Sequence, residues 1–110
     1  MDLLRLRSFV EAARFIGQRM MKEGGTAPDD RLRYGFKLVT SRLPSANEQA
    51  VLHDSLQFHL DYFSGKPSQI QAYLSQGESR ADAKLDAREL AAYASVASLL
   101  LNLDEAVTKE

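Results

Sequence analysis

The chain has 110 residues, 45% of them apolar and 26% charged, with 14 basic and 15 acidic side chains and a net charge of −1. That size suits one globular domain with a single core, and the near-neutral charge argues against nucleic-acid binding by bulk electrostatics. The absence of cysteine excludes disulfides, thiol catalysis, thiolate metal sites and Cys-linked haem within this sequence.

Charge is unevenly placed. Nine of the 14 basic and five of the 15 acidic residues fall in residues 1–42, leaving five and ten for residues 43–110. Helices of opposite charge packed together explain such a split more simply than a polyanion site. The longest apolar stretch, Leu90 to Leu103, is about 14 residues and falls short of the ~20 needed to span a bilayer. "MDLLRLRSFVEAAR" has no apolar core ahead of Arg5, so no secretory signal and no membrane partner are expected.

In chain order the pattern is helical throughout. Phe9, Ala13, Ile16 and Met20 recur at three- and four-residue spacing and predict a helix over 5–23, stopped by Gly24-Gly25. Thr26 with Asp29 offers a cap, and Pro28 suits the first turn of a second helix over 29–42. Its stripe is Leu32, Phe36, Val39 and Leu43, and Pro44 is its expected stop. "SANE" is a capping box, with Ser45 as cap and Glu48 reaching back to it, for a third helix over 46–63. Leu52, Leu56, Leu60 and Phe63 line that helix, with Phe58 and Tyr62 on an adjoining flank. "SGKPS" leads to a short fourth helix over 67–76, marked by Ile70, Tyr73 and Leu74. Asp86, Glu89 and a Leu85–Leu90 staple then open a fifth over 87–103. No alternation long enough for a strand is present, and no internal repeat or linker divides the chain. The expected fold is all-α, a single small bundle of about five helices. Its expected core is Phe9, Ile16, Leu32, Phe36, Val39, Leu52, Leu56, Leu60, Leu90, Ala94, Ala97 and Leu101.

Chemistry-bearing patterns are sparse. His53 and His59, six residues apart, are rotated about 240° from each other on a helix and cannot share a metal as an i, i+4 pair could. No phosphate loop, Ser-His-Asp constellation or zinc motif is present, so no catalytic, cofactor-binding or metal-ligating residue is assigned and no cofactor is expected. Gly35, inside "RYGFKL", costs about 1 kcal/mol against alanine in a helix interior. Close approach of the fifth helix, through Ala91, Ala94 and Ala97, is its expected reason. Asp104 and Glu105 oppose the dipole at a helix C-terminus. Either Asn102 or Leu103 ends the helix and Asp104 caps a further turn, or an arginine neutralises one acid. Asn102, Asp104, Glu105, Arg14, Arg31, Arg33 and Arg42 therefore form an expected structural polar cluster.

"SFVEAAR", "DDRLRYGFKLVTSRLPSANEQAVL" and "LAAYASVASLLLNLDEAVTKE" resemble the C-terminal end of a domain of unknown function in planctomycete multi-domain proteins. The resemblance covers nearly the whole chain. "MDLLRLRS" stands where the family has an "LNDP"-like segment, and Gly35 stands where it has alanine. Family members are exported and often carry a cytochrome-c-like domain, which implies an exported ancestry and upstream domains as partners. No activity or catalytic residue is implied. The expected function is a helical structural or protein-interaction module without catalysis of its own, self-associating or packed on upstream domains. The alternative is the C-terminal part of an enzyme domain whose active site lies mainly upstream.

Overall fold

The computed structural model describes residues 9–76 and 81–108, the last five as backbone only. Five α-helices follow in order: α1 (Phe9–Glu23), α2 (Pro28–Thr40), α3 (Ala46–Tyr62), α4 (Pro67–Leu74) and α5 (Ala87–Thr108). No strand occurs among the described residues. The all-α expectation holds.

Local chemistry accounts for several helix ends. Ser45 Oγ accepts from the Glu48 backbone N–H at 3.1 Å, and Glu48 Oε1 accepts from the Ser45 N–H at 2.8 Å. That completes the expected capping box. The Asp86 carboxylate accepts from the Glu89 N–H at 2.9 Å at the start of α5. Two expected signals fail. The N-cap of α2 is Ala27, with no side-chain hydrogen bond, so Thr26 does not cap it. α2 also stops at Thr40, ahead of Pro44, because Ser41 turns left-handed at φ 67° and returns its N–H to Lys37 O. Leu43 then falls outside the helix and is exposed.

α5 is the axis of the fold. Leu90, Ala91, Ala92, Tyr93, Ala94, Val96, Ala97, Leu100 and Leu101 are all buried, which wraps apolar contact round most of its circumference. α1 against α5 is the most extensive helix pair, followed by α3 against α5. Gly17 faces Ala94 in the first pair. Further along α1, Gln18 and Lys22 reach Asp82, which precedes α5, so the two helices run antiparallel. A Cβ at Gly17 would lie 2.8 Å from the Ala94 backbone nitrogen, so the backbones touch there.

The expected partner of Gly35 is corrected. A Cβ at Gly35 would meet the Met20 thioether of α1, with Sδ at 2.6 Å, and not the alanines of α5. The core otherwise includes Ile16, Leu32, Phe36, Leu52, Leu56, Leu90, Ala94, Ala97 and Leu101, with Val39 and Leu60 partly buried against it. Phe9 is corrected: at 39% exposure it lies outside the core. Met20, Val96 and Leu100 are fully buried and complete the interior.

Arg14 is 2% exposed and serves α4. Its guanidinium donates to the Leu74 carbonyl at the last residue of α4 and to the Gln76 carbonyl at 2.9 Å. It also lies 3.9 Å from the buried Glu11 carboxylate. A cation at a helix C-terminus satisfies carbonyls that have no intrahelical partner and complements the dipole.

Two substitutions test this packing. Gly17→Ala is expected to lower stability by about 1–3 kcal/mol, because the added methyl presses on backbone that cannot swing away. Gly35→Ala is expected to cost less, since a thioether can move and alanine recovers about 1 kcal/mol of helix propensity. Urea denaturation of both variants measures the order, and equal stabilities would contradict the contact. Leu56→Ala, at a fully buried site, is expected to cost about 2–5 kcal/mol in the same assay.

Candidate functional site

The expected arginines are dispersed. Arg31 donates to the Gly25 carbonyl at 2.9 Å, lies 3.5 Å from Glu89 and sits 5.5 Å from the centre of the buried Tyr93 ring. Burial pushes the Tyr93 phenol up, and the Arg31 hydrogen bond opposes that shift. Arg33 pairs with Asp30 on the surface at 2.9 Å. Arg42 grips Glu48 with both carboxylate oxygens at 2.8 Å and stacks over Phe36. Asn102 is exposed, and α5 continues through it to Thr108. Neither Asn102 nor Leu103 ends the helix, and Asp104 is an interior residue of it and not a cap. The side chains of Asp104 and Glu105 lie outside the described residues.

His53 and His59 do not converge. His59 Nδ1 lies 2.8 Å from the Ser55 carbonyl on its own helix. His53 Nδ1 lies 3.2 Å from Asp29 Oδ1, which ties α3 to the first turn of α2. Gln49 adds a second tie, its Nε2 donating to the Asp29 carbonyl at 3.0 Å. These residues, with Ala46, Ala50 and Asp54, line an open cleft of about 360 Å³. Among the described residues, no group of three or more His, Asp or Glu side chains is arranged to hold a metal ion.

The second surface is apolar. Val51, Phe58 and Tyr62 recur at spacings of seven and four, within about 40° of one another around the α3 axis. They are 58%, 64% and 45% exposed. Leu52, Leu56 and Phe63, about 120° further round, are buried. α3 thus carries two apolar stripes, one in the core and one facing outward. At its N-terminal end the outer stripe opens into a hollow of about 250 Å³ lined by Phe36, Asn47, Glu48, Val51, Leu52 and Leu103. Leu103 is itself 48% exposed. At the other end the Lys66 ammonium lies 4.2 Å from the centre of the Tyr62 ring. Phe58 and Tyr62 were recognisable as a separate flank in the sequence. Leu103 joins them only through the fold.

Comparison of the chain with protein-family models, with curated proteins and with solved structures found no match. No helix among the described residues is long and apolar enough to cross a membrane.

One charged group beside the hollow has a clear acid signature. The Arg42 guanidinium, then the Ser45 backbone N–H, hold the Glu48 carboxyl down to about 2 from an ordinary value of 4.5. A depressed carboxyl adds stability that is fully present above its unfolded value and is lost as pH falls through its folded value. The contribution should fade from about pH 4.5 to about pH 2. Glu48→Gln is expected to flatten the acid limb of the stability curve in that window, measured by circular dichroism during urea titrations at stepped pH. A parallel curve offset equally at all pH values would contradict the assignment.

Proposed function

We propose that this domain is a protein-interaction module that presents the outer face of α3 to a partner. The observation that carries the reading is the exposed line of Val51, Phe58 and Tyr62 on a helix whose opposite stripe is already buried. The interior needs no further cover from these three residues. Taking aromatic side chains as 150–250 Å² each, they leave roughly 300 Å² open. Patches of about 300–600 Å² on a monomer are often functional. The adjoining hollow, at about 250 Å³, is smaller than the ~300–1,000 Å³ common for small-molecule sites. It suits a single large side chain from a partner.

The test is to select binders from a library of helical peptides and map their contacts by amide chemical-shift changes. Perturbations are expected along Val51, Phe58, Tyr62 and Leu103, with affinity reduced at least tenfold by Phe58→Ser at unchanged thermal stability. Binders that map to the Asp29–His53 cleft, or that ignore Phe58→Ser, would overturn the reading.

A further inference from the structure

The outer stripe of α3 has one distinctive edge. Asp54 and Asp61 stand seven residues apart, about 60–80° to one side of the Val51–Phe58–Tyr62 line. Both are exposed, and neither side chain is engaged by a basic group among the described residues. Glu48, on the same helix, is by contrast already matched by Arg42. Two carboxylates one heptad apart beside an apolar seam, with no ion pair to a cation among the described residues, form half of a complementary edge.

From this we infer that the partner is a cationic amphipathic helix. It would lay apolar side chains along Val51, Phe58 and Tyr62, with one anchor in the hollow beside Leu103 and Phe36. Lysines or arginines seven residues apart on its flank would meet Asp54 and Asp61. The inference rests on the interaction-module reading and adds the chemistry of the occupant. Charge also separates this occupant from a second copy. α3 contains no lysine or arginine, so an α3–α3 contact gives Asp54 and Asp61 no basic residue from the facing helix. In an antiparallel twofold pairing each flank meets its own counterpart, which sets the aspartates of one copy beside those of the other.

Two fluorescein-labelled, alanine-rich 18-residue peptides provide the test. Both carry four leucines spaced four, three and four apart. One has lysines and the other glutamates at the flanking positions. In 50 mM salt, fluorescence anisotropy is expected to show the lysine peptide binding at least tenfold more tightly, with the difference shrinking in 500 mM salt. The double variant Asp54→Lys, Asp61→Lys is expected to reverse the preference, and Phe58→Ser to weaken both peptides. Equal binding of the two peptides, with Phe58→Ser still damaging, would overturn the cationic partner and leave the interaction face standing. Binding that ignores Phe58→Ser would overturn both. A parent dimer in light scattering that Phe58→Ser converts to monomer would assign the face to a second copy and overturn the inference. Absence of binding by either peptide at 1 mM would overturn it as well.

Discussion

Everything in this fold is arranged around the place where α1 meets α5 at backbone distance. With Gly17 against the Ala94 main chain, no side chain separates the two helices at their crossing. Close approach lets the flanking residues interlock: Ala13, Ile16 and Met20 on one side, Ala91, Ala97 and Val96 on the other, all inaccessible to solvent or nearly so. Dispersion falls steeply with separation, so a gap of even 0.5–1 Å at this crossing would forfeit a quarter to a half of each contact. The remaining helices are placed by what that pair leaves uncovered. α2 closes over Met20 with a glycine of its own, Gly35. α3 covers a further side of α5. α4 is held by its C-terminal carbonyls, which accept from an arginine buried on α1.

The same geometry explains why α3 differs from its neighbours. α5 is surrounded, so it can offer α3 only one side. A helix docked along one side buries one stripe. Leu52, Leu56 and Phe63 fill it, with Leu60 partly covered. Among the described residues, the second apolar line on α3 stays exposed at Val51, Phe58 and Tyr62. Its polar neighbours do not hide it either, because Asp54 and Asp61 flank it without crossing it. An apolar seam beside unmatched carboxylates combines two sources of specificity. In the proposed reading, burial of the seam favours association and the charged edge selects which helix associates.

The helices were legible because their ends are written in local chemistry. Ser45 with Glu48 and Asp86 with Glu89 each satisfy orphan N–H groups within a few residues, and periodic leucines do the rest. Contacts that depend on distant residues were harder to read. Gly35 is anomalous in a helix interior and close approach explains it, but the neighbour is Met20. Gly17, which makes the central contact, sits among small residues whose only signal is the spacing of Ala13 and Gly17 against the alanines of "LAAYASVAS". Asn102 to Glu105 has the polar character of a helix terminator. Yet asparagine and aspartate each cost under ~0.7 kcal/mol in a helix interior, and no glycine or proline follows to stop it. Of the candidate surface, periodicity separated Phe58 and Tyr62 from the core stripe. It could not say which flank would be covered, because the position of α5 decides that. The pairing of Arg31 with Glu89, and of Arg42 with Glu48, follows from where the helices cross.

The Gly17–Ala94 contact also has a consequence for synthesis. Its two residues are 77 positions apart, so the central helix pair cannot form until the last helix has been made. At ~5–20 residues per second on the ribosome, that leaves α1 waiting about 4–15 s with its apolar face unmatched. α2 can shelter part of it in the meantime, through Gly35 and Met20. The antiparallel pairing of the first and last described helices thus makes the domain a late folder during translation. A nascent chain halted before α5 would expose Ala13, Ile16 and Gly17 of α1 to whatever chaperone meets it first.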